Sequence, residues 1–153
     1  MTPEVKDLIK RASKHLAIKD IMLFESLFER PERDPEKMGR AVKQEYKREV
    51  RYFTDDKEKQ IEGPPHLQVL IALGIRLSAV DGSAEDAPFV VIEADFLVNY
   101  EMSDDLDPDC IKAFANNNAV HNVWPFWRQH VFDIVARARL PQLEIPLYSG
   151  IIL

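Results

Sequence analysis

Residues 67–79 have the sequence LQVLIALGIRLSA, in which every odd-numbered position is apolar. A repeat of two places successive side chains on opposite faces of a strand, whereas helical side chains return to one face about every 3.6 residues. Residues 90–100, VVIEADFLVNY, carry apolar side chains at every even-numbered position, and residues 81–83 between the two segments are Asp-Gly-Ser, a turn sequence. The pair therefore predicts an antiparallel hairpin with one buried face.

Two further strands are expected before the hairpin. Residues 42–53 alternate between apolar and charged side chains, which predicts a strand with one face in solvent. Residues 18–28, IKDIMLFESLF, also favour a strand. Because apolar side chains fall on both of its faces, the sequence does not show which face is buried. The charged, proline-containing residues 29–40 and 55–65 are expected to connect the strands.

A short helix is expected at the N-terminus, because Thr2 and Pro3 are typical of a helix cap and first turn. We assign it to residues 2–16. The order of one helix, four strands within residues 18–103 and helices within residues 107–140 indicates a single α+β domain. The predicted fold is a four-stranded antiparallel sheet packed with C-terminal helices, with the N-terminal helix as an addition.

The C-terminal segment predicts two helices. The first begins at residues 107–109, Asp-Pro-Asp, and loosens at the asparagines 116–118. The second begins near Asn122, because Pro125 is tolerated only in a first turn, and it ends before Pro141. Its apolar stripe consists of Trp124, Trp127, Val131, Ile134, Val135 and Ala138.

Composition excludes several classes of protein. The 153 residues include 26 acidic and 20 basic side chains, and the net charge of −6 argues against a nucleic-acid partner, which needs a basic face. No apolar run approaches the ~20 residues of a membrane helix, so no membrane insertion is expected. With one cysteine, Cys110, and a charged N-terminus unlike a signal peptide, we expect a cytoplasmic protein.

Catalytic signatures are missing from the sequence. It contains no nucleophile elbow, phosphate-binding loop or paired cysteines, so we predict no catalytic residues, cofactor or metal. Cys110 is expected to be a buried apolar side chain. One alternative stays open, a small-molecule binding protein or enzyme that uses His121, His130 and Asp133 of the last predicted helix.

Aromatic side chains are concentrated in residues 122–128, NVWPFWR, which are followed after a helix by LPQLEI at residues 140–145. This tail resembles the C-terminal helix and following segment of the SecB export chaperones. The preceding order of elements is similar as well, with Lys-Asp-Ile at residues 19–21 on the first strand and FVVIE at residues 89–93 on the hairpin. The resemblance extends over about residues 18–147.

The resemblance implies an ATP-independent holdase that keeps unfolded preproteins competent for export and assembles as a homotetramer, a dimer of dimers. An alternative within this class is a SecB-like chaperone dedicated to one client, such as an antitoxin. Clients of the family lie in long apolar grooves. For the groove of this chain we select Phe24, Leu27, Tyr46, Tyr100, Phe126, Trp127 and Leu143.

The resemblance also implies a docking face for the translocase motor SecA. Asp20, Val91 and Glu93 match the family positions, and Glu25 lies near the remaining one. Two departures count against this coupling. The chain ends in apolar residues 151–153 where many members carry a polar zinc-binding tail, and the N-terminal helix is additional.

Overall fold

The computed structural model describes residues 1–31, 33–34, 42–55, 65–80, 87–140 and 145. The elements are α1 (Pro3–Ser13), β1 (Leu16–Glu29), β2 (Val42–Thr54), β3 (His66–Ala79), β4 (Val90–Met102), α2 (Pro108–Phe114), a π-helical turn (Ala115–Ala119) and α3 (Val120–Ala138). The predicted turn at residues 81–83, most of the two predicted connections, and the PQL sequence of residues 141–143 lie outside the described residues.

The four strands form one antiparallel sheet in the order β1-β4-β3-β2, which confirms the predicted fold. The predicted hairpin pairs β3 with β4, with Ile71 directly opposite Phe96. The odd-numbered side chains of β3 from Leu67 to Leu77 and the even-numbered side chains of β4 are buried, as predicted. Because β1 and β2 follow each other in the chain but occupy opposite edges, the connection between them must cross the width of the sheet.

Two β-bulges explain why the buried face of β1 could not be read from its alternation. The pairing of β1 with β4 shifts between Ile18 and Asp20 and again between Leu23 and Glu25. Each bulge adds one residue to β1, so the parity of the inward-facing positions changes twice along the strand.

Helix α3 covers only part of one face of the sheet. We call this face the inner face and the opposite one the outer face. The helix packs on β3 and β4. The Tyr100 hydroxyl donates to Asn122 Oδ1 at 2.7 Å, and Arg30 Nη1 donates to the Ala138 carbonyl at 2.5 Å. Since Tyr100 ends β4 and Arg30 follows β1, α3 runs from one end of the sheet to the other. The predicted apolar stripe of α3 packs against the core, as expected.

The loosening predicted at residues 116–118 coincides with the π-helical turn, but the last helix begins at Val120, before the predicted start near Asn122, so that Pro125 is not in its first turn. Helices α2 and α3 are joined by the π-helical turn, and Pro125 lies in the interior of α3. The side-chain Nδ2 atoms of Asn116 and Asn117 donate to the backbone carbonyls of residues 112 and 113, at 2.9 and 2.7 Å. These side chains give the carbonyls hydrogen-bond donors where the helix changes from α to π bonding. Pro125 is exposed, on the solvent side of α3.

Helix α1 is capped as predicted, with Thr2 Oγ1 accepting from the Val5 amide at 3.3 Å. It ends at Ser13 and not at residue 16, because Leu16 already begins β1. It packs mainly against α2 and buries Ala12. Within the described part of the chain, no helix is long and apolar enough to cross a membrane.

Candidate functional site

The edge strand β1 exposes large apolar side chains on both faces. Its inner-face residues Ile18, Leu23 and Phe28 lie opposite Tyr100, Phe96 and Ile92 of β4, and cross-strand partners share a face. They are nevertheless 48%, 51% and 39% exposed. Met22 and Leu27 are exposed on the outer face, and Phe24, in the second bulge, is 58% exposed.

The His130 flank of α3 packs against β4, the strand next to the exposed inner face of β1. His130 stacks on the Trp127 ring, with ring centroids 6.3 Å apart, and meets the edge of Phe96 at 6.4 Å. Phe96 belongs to β4, whose neighbour on the open side is β1, where Leu23 is the direct partner of Phe96. His130 therefore stands at the border between the covered core and the uncovered strand.

Helical periodicity adds Phe126 to this border. It precedes His130 by four residues, so the two side chains share a flank of α3, and Phe126 is exposed. We use the name apolar trench for Ile18, Leu23 and Phe28 of β1 together with Phe126 and His130 of α3. Phe132, also exposed, lies two positions beyond His130 and points away from this flank.

The groove residues expected from the sequence fall on several surfaces. Phe126 lines the apolar trench, Phe24 lies in the β1 bulge, and Leu27 lies on the outer face opposite Glu93. Tyr46 is exposed on β2, at the other edge of the sheet. Tyr100 and Trp127 are core residues, 2% and 1% exposed, and Leu143 lies outside the described residues.

The expected motor-docking residues surround a cluster of acids on the outer face. Glu25 lies directly opposite Asp95, with Glu93 two positions along β4. Partial burial, followed by the carboxylate of Glu25, raises the pKa of Asp95, while Lys47 and Arg51 act in the opposite direction. Like charges opposite each other on a sheet are unfavourable, so this cluster costs stability.

Other outer-face partners modify this cluster. Glu93 Oε2 lies 3.8 Å from Lys47 Nζ across Gly74, where a Cβ would meet both side chains at 3.2 Å. At the far end of β4, Asn99 donates to Asp20 Oδ1 at 2.5 Å. Val91 is buried, so it contributes no exposed docking contact in the single chain.

The arrangement of His121, His130 and Asp133 does not form one site. His121 and His130 are nine residues apart, which on an α-helix places them on opposite sides. Asp133 accepts a hydrogen bond from Gln129 at 2.8 Å. Among the described residues, no group of three or more His, Cys, Asp or Glu side chains is arranged to hold a metal ion. Cys110 is buried, as expected.

Sequence reasoning missed Ile18, Leu23 and Phe28. Their apolar character was visible, but a strand with apolar residues on both faces is ordinarily buried on both. The signal that they are exposed is tertiary. β1 lies at the edge of the sheet, beyond the strands that α3 covers.

The folded chain is similar to a solved chaperone. The SecB-like chaperone Rv1957 from Mycobacterium tuberculosis, in complex with a peptide from the Rv1956 HigA1 antitoxin, matches with a TM-score of 0.69 and 19% sequence identity. The match covers 94% of this chain and 97% of that chain. This chain has the fold of a SecB-like chaperone.

A protein of unknown function from Streptococcus agalactiae has a lower TM-score of 0.44 and 10% identity, over 85% of this chain and 97% of that chain. Scanned against protein-family models and against curated proteins, the sequence finds no match. The SecB-like fold is therefore recognised from structural similarity, since the sequence identity is low.

Proposed function

We propose that this protein is a chaperone that holds an extended, apolar segment of a client protein in the apolar trench, without using ATP. The observation that supports this most directly is the exposure of Ile18, Leu23 and Phe28 beside the aromatic flank of α3. Large contiguous apolar surfaces on soluble proteins commonly mark binding sites. The SecB-like fold points to the same class of function.

The chemistry of the trench suits an unfolded segment. Apolar burial contributes roughly 25 cal/mol per Å² and does not depend on direction, so it tolerates different client sequences. The open edge of β1 adds main-chain donors and acceptors that can pair with an extended chain. Several such weak contacts along one chain reinforce each other through effective concentration.

For the client, we propose a dedicated partner such as the antitoxin of a toxin–antitoxin system, with the complex acting in the cytoplasm. The solved SecB-like chaperone with this fold holds an antitoxin peptide, which favours a dedicated client over general preprotein export. Breadth of protection separates the two. A dedicated chaperone should prevent aggregation of its own client at equimolar concentration, whereas unrelated apolar segments should bind the trench too weakly to be protected at that concentration.

Substitutions in the trench test the proposal. Leu23→Ser and Phe28→Ser should each weaken binding of an apolar peptide about three- to tenfold, because full burial of such a side chain contributes about 1.5–3 kcal/mol and the client would cover roughly the exposed half. Phe132→Ser, at an exposed aromatic outside the trench, is the matched control and should leave the affinity unchanged. Fluorescence anisotropy in ATP-free buffer measures the affinity. Equal affinities for all four proteins would contradict a client site in the trench.

A second candidate is preprotein export through docking to the SecA motor. The acidic cluster of Glu25, Glu93 and Asp95 favours a basic partner on the outer face. Glu25→Lys should abolish co-sedimentation with SecA, whereas Glu45→Lys on the outer face of β2 should not. If the unmodified chain fails to bind SecA, this candidate is excluded and the dedicated client is favoured.

A further inference from the structure

His130 is a titratable side chain in an otherwise apolar border of the trench. It is half-buried between Trp127 and Phe96, and Leu23, the strand partner of Phe96, is half-exposed. A client segment that lies on Leu23 and against the flank of α3 would cover the exposed part of the imidazole. Occupation of the trench would therefore remove water from the imidazole.

The charges around His130 are few. On α3, Asp133 lies one turn away and favours the charged imidazolium, although it is exposed and bonded to Gln129. On β4, the side chains that face α3 are apolar, while Glu93 and Asp95 point to the outer face. On β3, the inner-face side chains are apolar, and on β1 the inner-face residues beside Phe96 are Ile21, Leu23 and Ser26. Within the described chain, Asp133 is the acid placed to stabilise a charged His130.

We propose that His130 is a client-contacting residue whose neutral form binds the client more tightly, so that protonation of His130 weakens binding. This inference rests on the proposed function and adds its regulation. An imidazolium covered by apolar side chains loses hydration that a neutral imidazole scarcely needs. The client therefore binds the neutral form more tightly, and by linkage the proton and the client oppose each other.

The direction of the pH dependence follows from this linkage. Burial already lowers the pKa of His130 below its ordinary value of 6.5 in the free chain, and the client would lower it further. Client affinity is then highest above the free-chain pKa and falls as the pH drops through it. It levels off once His130 is protonated in the complex too. The factor by which binding weakens at low pH equals the factor by which the client lowers the proton affinity of His130.

The experiment measures the affinity of a probe without titratable groups of its own in this range. A capped peptide of Leu, Phe and Ser with one terminal Lys and a rhodamine label is titrated with the full chain between about pH 5.5 and 8, where histidine ionises. The chain with its own His130 should bind roughly threefold or more weakly at the acidic end. His130→Gln should bind with the same affinity throughout. His121→Gln, on the opposite side of α3, should keep the full pH dependence.

The outcomes separate the inference from the proposed function. If the peptide binds with an affinity that Leu23→Ser weakens but pH does not change, the chaperone site stands and the role of His130 is overturned. If His121→Gln removes the pH dependence, or His130→Gln retains it, the wrong histidine was assigned. If no peptide binds at any pH, both proposals fail. Far-UV circular dichroism at each pH confirms that all variants remain folded.

Discussion

The side chain of Tyr100 contacts both C-terminal helices from the sheet. The Tyr100 hydroxyl is the polar tip of an otherwise apolar core residue, and its donation to Asn122 joins β4 to α3. Phe114 meets the edge of the same ring, with centroids 5.0 Å apart. Burial raises the pKa of Tyr100 well above its ordinary range, so the hydroxyl keeps its proton and remains a donor. One buried tyrosine thus fixes both C-terminal helices relative to the sheet.

Tyr100→Phe should lower the free energy of unfolding by about 1 kcal/mol, because it removes one hydrogen bond and leaves the Asn122 oxygen unpaired. Chemical denaturation with urea measures the difference. Tyr52→Phe, at an exposed tyrosine of β2, is the control and should have little effect. A loss no larger than that of the control would show that water replaces the hydroxyl.

The burial of His130 should also make the stability of the folded chain depend on pH. Since burial lowers its pKa in the folded chain, the unfolded chain binds the proton more tightly. The stability from neutral His130 is complete above the ordinary pKa of 6.5 and is lost as the pH falls through the folded-state value. Melting temperatures of His130→Gln should therefore depend less on pH below 6.5 than those of the unmodified chain. Parallel curves would contradict the assignment.

At the scale of elements, the alternation of apolar residues correctly predicted the buried faces of β3 and β4 but did not identify the buried face of β1. On the inner face of the hairpin, the side chains of β3 from Leu67 to Leu77 and of β4 from Val90 to Met102 are all buried. β1 has two bulges and an open edge, and neither leaves a mark in the alternation of apolar residues. The start of the last helix was predicted two residues too late for a related reason. A π-helical turn depends on which carbonyls the Asn116 and Asn117 side chains can reach, and helical spacing does not report that.

Core truncations test the faces of the hairpin. Ile71→Ala and Phe96→Ala should each cost about 2–5 kcal/mol in the free energy of unfolding, because both side chains are buried on the inner face. Phe53→Ala, on the exposed outer face of β2, should cost much less. Guanidinium denaturation measures all three. A neutral Ile71→Ala would mean that the inner and outer faces are inverted.

At the scale of the whole molecule, apolar surface is distributed unevenly. Six exposed large apolar side chains lie on β1 and three on β2, the other edge strand, whereas β2 carries six charged side chains and β1 four. Charges on an edge strand discourage pairing with another chain. The two edges of the sheet therefore differ, and β1 is better suited than β2 to pair with another chain.

We predict that the chain assembles as a homotetramer, a dimer of dimers, because one copy leaves so much of β1 uncovered. Light scattering at micromolar concentration should give a mass near four chains. A mass of 17.7 kDa, that of the monomer, would contradict the assembly. Phe24→Asp, which places a charge in the exposed β1 bulge, should lower the mass, while Phe132→Asp tests whether the exposed face of α3 contributes separately.

The sequence by itself determined the hairpin, the α+β class, the capped N-terminal helix and the apolar stripe of α3, because each depends on local periodicity or on neighbouring residues. Tertiary structure decided which apolar side chains stay exposed to solvent. Trp127 and Tyr100 were selected for the groove yet are enclosed, whereas Leu23 and Phe28, whose face the sequence left open, are exposed. Burial depends on what lies opposite a side chain, and here α3 packs on β3 and β4, whereas β1 is the edge strand beside them.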